Sequence, residues 1–107
     1  IIAIEYKPIK GEKISHAILG KGLTFDSGGL NLKTGKGIET MFYDKHGACN
    51  VLSISDAVKK LNLQMNCLFV LGLAENCIDS FSYRPSDILL SKKGYTVEIG
   101  NTDAEGR

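Results

Sequence analysis

Apolar and polar positions change their period along this chain, and each change marks an element. Residues 1–6 form a short run rich in β-branched side chains that ends at Lys7-Pro8 and the polar turn 10–13, which predicts an edge strand. Residues 14–19 predict a second strand that runs into Gly20-Lys21-Gly22, and residues 23–25 extend again before Asp26-Ser27-Gly28-Gly29 breaks the run. Residues 31–37 are polar and contain glycine, so they read as a loop. From Gly47 the period becomes helical: Val51, Leu52, Ile54, Ala57, Val58 and Leu61 share one face, and Ser53, Ser55, Lys59 and Lys60 take the other. Asn62 closes this helix. Residues 64–74 return as a largely apolar strand of the kind buried on both faces of a central sheet, and strand, helix, strand predicts a right-handed crossover. Residues 75–87 form a long loop carrying Arg84-Pro85, after which 88–90, Lys92-Lys93-Gly94 and 95–99 have a hairpin pattern. No repeat, low-complexity tract or linker divides the chain, so the elements predict one α/β unit.

Composition removes several functions. The 107 residues are 43% hydrophobic and 23% charged, with 13 Lys+Arg against 12 Asp+Glu and a net charge of +1, so no nucleic acid or other polyanion is expected as a partner. The longest apolar run, around 67–74, falls well short of the roughly 20 residues that span a bilayer, and no membrane partner is expected. The first residues, Ile1-Ile2-Ala3-Ile4, have neither a Met nor a basic leader and read as the interior of a longer chain. Three cysteines without a C-x-x-C pair suit free thiols in a reducing compartment, each expected as a small buried hydrophobe.

The candidate chemistry lies after the strands. Lys21 and Asp26 follow one strand and Asp103 and Glu105 lie near the end of the chain, with Asp44 between them, and ligands of open α/β sheets bind at the carboxyl ends of strands. Four carboxylates converging on one point repel unless cations join them, and two divalent ions would neutralise them. Each also has a structural alternative. Thr102-Asp103-Ala104-Glu105 fits a helix capping box, Asp26-Ser27-Gly28-Gly29 fits a plain Asx turn, and Asp44 fits a solvated loop charge. Lys21 is not a phosphate-loop lysine, because that pattern needs Gly at position 15 and Ser or Thr at 22, where Ser15 and Gly22 stand. His16 is expected as a half-exposed strand residue and His46 as a locally satisfied one, since neither has a partner at metal-ligand spacing. No nucleophile elbow or reactive cysteine setting is present.

Taken jointly, Gly20 to Gly29, Leu32-Lys33, Met41 through Asp44 to Gly47-Ala48, Tyr83-Arg84-Pro85 and the terminal Asn101-Thr102-Asp103-Ala104-Glu105-Gly106-Arg107 resemble the catalytic domain of the leucyl aminopeptidase family, the M17 exopeptidases. The resemblance covers about Leu19 to Arg107. It implies a mixed central sheet with flanking helices, and that residues 1–107 are part of a catalytic domain whose N-terminal companion domain and C-terminal remainder lie outside the chain. It further implies that Lys21, Asp26, Asp44, Asp103 and Glu105 are metal ligands, with Asp26 and Glu105 serving both ions, and that Lys33 and Arg107 are the catalytic cations. The implied cofactors are two divalent ions, Zn²⁺ or Mn²⁺, sharing a hydroxide as nucleophile, with a bicarbonate near Arg107 as general base. Met41 matches a wall of the pocket for the first side chain. The implied partners are a peptide with a free N-terminus and, in the whole protein, five further copies in a cytoplasmic homohexamer. Such a chain alone is expected to be inactive. A noncatalytic binding or assembly module that keeps the fold is the alternative. The chain departs from the family's usual residues at Lys45-His46, Asn50 and Ser86.

Overall fold

Cys67, Phe69 and Leu71 alternate along one strand and are all buried, as the pleat requires of a strand whose alternate side chains meet a helix. This strand is the middle one of three in a computed structural model that describes all residues from 1 to 107. In chain order the elements are β1 (Ile2–Tyr6), β2 (His16–Asp26), α1 (His46–Lys60), β3 (Cys67–Asn76), β4 (Ile88–Leu90) and β5 (Thr96–Glu98), with 3₁₀ turns at Gly35–Gly37, Met41–Tyr43 and Thr102–Ala104. The sheet order is β1-β3-β2, with β1 antiparallel and β2 parallel to β3, so the sheet is mixed and β1 is an edge strand, as expected. The chain is α/β, and β2, α1 and β3 make the strand, helix, strand unit read from the sequence.

Two expected strands are one. The 14–19 and 23–25 segments join in β2 straight through Gly20-Lys21-Gly22. These glycines do not turn the chain. A Cβ on Gly20 would lie 2.6 Å from the Gly47 carbonyl carbon, and one on Gly22 would lie 2.9 Å from the Ala48 Cβ, so the two glycines let the first turn of α1 rest on the strand.

The helix buries a narrower stripe than its periodicity predicts. Ala48, Val51 and Val58 pack with Cys67, Phe69 and Leu71, and Ile4, Tyr6, Ile18 and Met65 close over that cluster. Leu52, Ile54, Ala57 and Leu61, assigned to the same face by spacing, are exposed. Asn62 does end the helix, in the left-handed conformation (φ 51°): its N–H donates to the Lys59 carbonyl at 3.1 Å and that of Leu63 to Val58 at 3.2 Å, which satisfies the last carbonyls as a Schellman motif does.

β3 is not buried on both faces. Leu19 and Val70, partners in register, share the face that α1 does not cover, and Leu19 is 71% exposed. The radius of gyration is 16.9 Å, against about 13 Å for a compact domain of this length. The expected hairpin forms as β4 and β5, with Leu89 opposite Val97, as a separate two-stranded sheet. No helix is long and apolar enough to cross a membrane.

Candidate metal centre

The site is built where β2 ends. Between Leu23, opposite Ala74, and Asp26, opposite Asn76, β2 carries one more residue than β3. This bulge re-aims the strand and places the Asp26 carboxylate beside the Asn76 amide, where it is 2% exposed. The chain then doubles back through Gly28 (φ 89°) and Gly29 (φ 67°), and the Lys33 N–H donates to the Ser27 carbonyl at 2.9 Å. A Cβ on Gly28 would stand 2.5 Å from the Asn31 carbonyl oxygen, so the turn that returns Lys33 to Asp26 needs glycine there. Asp44 follows the 3₁₀ turn Met41–Tyr43, and its backbone carbonyl accepts the Leu23 N–H at 3.0 Å, which ties that loop to β2.

The terminal segment is anchored by Thr102. Its buried hydroxyl donates to the Gly28 carbonyl at 2.6 Å and accepts the Asn31 N–H at 2.8 Å, while its own N–H donates to Asn31 Oδ1 at 2.8 Å. The capping box expected of Thr102 and Glu105 does not form. Asn101 caps the short turn instead, accepting the Asp103 N–H at 2.7 Å, and this leaves Glu105 free to face the lysines. The Asx turn expected at Asp26 does form, with the Gly28 N–H on Oδ1 at 3.0 Å, but it engages only one carboxylate oxygen.

Two ammonium groups meet four carboxylates here. Lys21 Nζ lies 2.5 Å from Glu105 Oε1, 2.7 Å from Asp44 Oδ2 and 3.7 Å from Asp26 Oδ2. Lys33 Nζ lies 3.0 Å from Asp26 Oδ2 and also pairs with Asp103. Burial works against both charged lysines, yet the hydrogen bonds and charges of Asp44 and Glu105 hold Lys21, and those of Asp103 and Asp26 hold Lys33, above the ordinary lysine value. Burial likewise opposes ionisation of Asp26. The Lys33, Asn76 and Gly28 hydrogen bonds outweigh it and bring its pKa to about 2.

This donor set fits divalent cations. Asp26, Asp103 and Glu105 each offer an oxygen within 4.8 Å of the others, and Lys21 links Asp44 to the same group. Asp44 Oδ2 and Glu105 Oε1 are buried, and the Lys21 ammonium is the partner of each. These two oxygens and the Lys21 nitrogen lie together, a donor set that a divalent ion could take over once the amine loses its proton.

The other expected residues lie around this cluster. Met41 lines a hollow of about 230 Å³ with Lys21, Thr40, Tyr43, Asp44 and His46. Arg107 lines a larger cleft of about 600 Å³ with Lys21, Glu105 and Tyr83. His46 is exposed and its Nδ1 faces the Tyr43 carbonyl, the local satisfaction expected of it; His16 is exposed beside Ser15. All three cysteines are free, but only Cys67 is buried; Cys49 and Cys77 are exposed, against expectation.

Sequence reasoning missed Asn76. It placed residues 75–87 in a loop, whereas Glu75 and Asn76 complete β3 and the Asn76 amide reaches Asp26, Glu105 and the Thr102 carbonyl. The polar residue closing an apolar strand next to the site was the available signal.

A mixed sheet with a carboxylate and lysine cluster at the strand ends offers a site that could hold a metal ion, and comparison with known proteins gives the family. The model of the cytosol aminopeptidase family, catalytic domain (peptidase M17), matches residues 1–107, and the chain belongs to that family. A protein of Persephonella marina named "probable cytosol aminopeptidase" is 52% identical over 106 residues, 99% of this chain and 21% of its own length. One of the same name from Aquifex aeolicus is 49% identical over 106 residues, 99% of this chain and 22% of its own. Among solved structures, the Caenorhabditis elegans leucine aminopeptidase superposes with a TM-score of 0.88 at 33% identity, covering 97% of this chain and 21% of that one. The Coxiella burnetii cytosol aminopeptidase gives 0.86 at 37% identity, covering 97% of this chain and 22% of that one. The chain thus spans about a fifth of the length of the relatives it matches.

Proposed function

We propose that residues 1–107 carry the dinuclear metal centre of a leucyl aminopeptidase, which hydrolyses the first peptide bond of peptides with a free N-terminus. The observation that carries this is the convergence of Asp26, Asp44, Asp103 and Glu105 on Lys21 and Lys33. The four carboxylates and Lys21, whose ammonium would give up its proton to ligate, would hold two ions, Zn²⁺ or Mn²⁺, both of which accept oxygen-rich sites. Bound there, the ions supply Lewis acidity and make water a competent nucleophile at neutral pH.

The chain's own residues do the rest. Lys33, held by Asp26 and Asp103, would donate a hydrogen bond to the scissile carbonyl oxygen and stabilise the charge that grows on it. The Arg107 guanidinium, in the cleft beside Glu105, suits a planar two-oxygen anion. A bicarbonate held there by Arg107 would supply a general base. Met41 forms an apolar wall beside Asp44 and favours a Leu-like first residue. The working enzyme is cytoplasmic and homohexameric in this reading. The chain alone is inactive in this reading, because the apolar side chains of Leu19, Leu61 and Leu90 stand exposed and lack packing partners that would support the site.

A paired assay of the full-length enzyme tests this: Leu-terminated peptides should be trimmed one residue at a time, and their N-acetylated forms should resist. Equal cleavage of both would contradict it.

A further inference from the structure

Asn76 is buried at the end of β3, and its amide nitrogen has three acceptors: Asp26 Oδ1 at 2.9 Å, the Thr102 carbonyl at 3.1 Å and Glu105 Oε2 at 3.3 Å. All three only accept, so the amide orientation is fixed: Nδ2 faces the carboxylates. The backbone is fixed as well. The Asn76 carbonyl accepts both the Ser27 N–H at 2.9 Å and the Ser27 hydroxyl at 2.7 Å, and a Cβ on Gly29 would stand 2.9 Å from Asn76 Oδ1.

The amide takes one oxygen from each carboxylate and leaves the other. Asp26 Oδ1 and Glu105 Oε2 face Asn76, whereas Asp26 Oδ2 and Glu105 Oε1 face Lys21. Glu105 Oε1 is buried, with Lys21 Nζ 2.5 Å away. A neutral donor suits this position. It spends surplus lone pairs without adding a positive charge that would compete with a cation, and without adding a further carboxylate.

We infer that Asn76 is a positioning residue for the metal centre: by clamping Asp26 and Glu105 together it aims their other oxygens, the ones facing the lysines, into the site and sets how tightly the site binds a divalent ion. This rests on the metal-centre reading above. Asn76 itself binds neither metal nor substrate.

The test is Zn²⁺ and Mn²⁺ binding by the full-length enzyme, measured by calorimetry after chelation, beside the thermal midpoint of each metal-free form. Asn76→Leu keeps the branched outline, though with bulkier methyls, and removes both N–H donors, and Asn76→Ala admits water as a partial substitute. The expected result is affinity lowered on the order of 10- to 100-fold in Asn76→Leu and by less in Asn76→Ala. A purely packing role would lower the midpoint and leave affinity unchanged, which would overturn the inference. Should Asn76→Leu fail to fold, wild-type affinity in a folded Asn76→Ala overturns it equally. A wild-type enzyme that binds no metal would overturn the metal-centre reading itself, a different result from a wild type that binds and variants that bind as well.

Discussion

Gly20 of β2 and Gly47 of α1 meet backbone to backbone: a Cβ on Gly20 would sit 2.6 Å from the Gly47 carbonyl carbon, and one on Gly47 would sit 2.9 Å from the Lys21 carbonyl oxygen. That contact sets the height of the helix over the strand, and Asp44 lies only three residues before Gly47. Gly20→Ala is therefore expected to lift the helix and move Asp44 away from Lys21. Overpacking of this kind costs about 1–3 kcal/mol, readable as a lower denaturation midpoint, and metal affinity should fall with it. An unchanged midpoint and affinity would refute the contact's role.

Asp26 gives the metal-free protein an acid limb. Its folded pKa of about 2 lies below the ordinary 3.8, so its ionised form stabilises the fold above the unfolded value, and that stability disappears as pH falls from about 4 towards 2. The shift corresponds to stability on the order of 2 kcal/mol at neutral pH. Denaturant titrations of the metal-free protein between pH 5 and 2 should show the loss, and Asp26→Asn should flatten it. A wild-type limb no steeper than that of the variant would speak against the hydrogen-bond network drawn here.

Much of the chain was legible because its signals are local. Asn62 announces the helix end, since a short polar side chain tolerates φ 51°, and the 88–99 hairpin follows from strand pattern around Gly94. The terminal residues Asn101 to Arg107 marked the site through resemblance. What failed depends on distant parts of the fold. Glycine within an extended run signals a turn or a close approach equally well, and only the position of Gly47 decides between them for Gly20. Leu52, Ile54 and Leu61 look like core by spacing, but the three-stranded sheet offers α1 only enough surface for Ala48, Val51 and Val58. Thr102 could not be assigned without Gly28 and Asn31, which compete for its hydroxyl from about 70 residues away.

The helix end allows a clean stability test. Asn62→Gly should leave stability unchanged or raise it slightly, whereas Asn62→Val, β-branched and forced to positive φ, should lose roughly 1–2 kcal/mol. Equal stability of the two variants would contradict the Schellman geometry.

Lys33 and Met41 should separate kinetically in the full-length enzyme. Lys33→Ala is expected to lower kcat by roughly 10²–10³ with a small change in KM, since its contribution grows with charge on the carbonyl oxygen. Met41→Ala is expected to act on the choice of first residue, lowering kcat/KM for Leu relative to Ala by about 10-fold. Steady-state kinetics on Leu- and Ala-terminated substrates would show this, and a loss in Lys33→Ala confined to KM would remove its catalytic role.

Metal stoichiometry joined to turnover tests the central claim most directly. The full-length enzyme would be stripped, reloaded with Zn²⁺ or Mn²⁺, and assayed for release of Leu from peptides beside Asp103→Ala. The account predicts two ions per chain, release that returns with metal, and loss of both a bound ion and turnover in the variant. A folded protein that takes up no metal and releases no amino acid would contradict it, leaving the carboxylates as partners of Lys21 and Lys33 in a noncatalytic binding or assembly module.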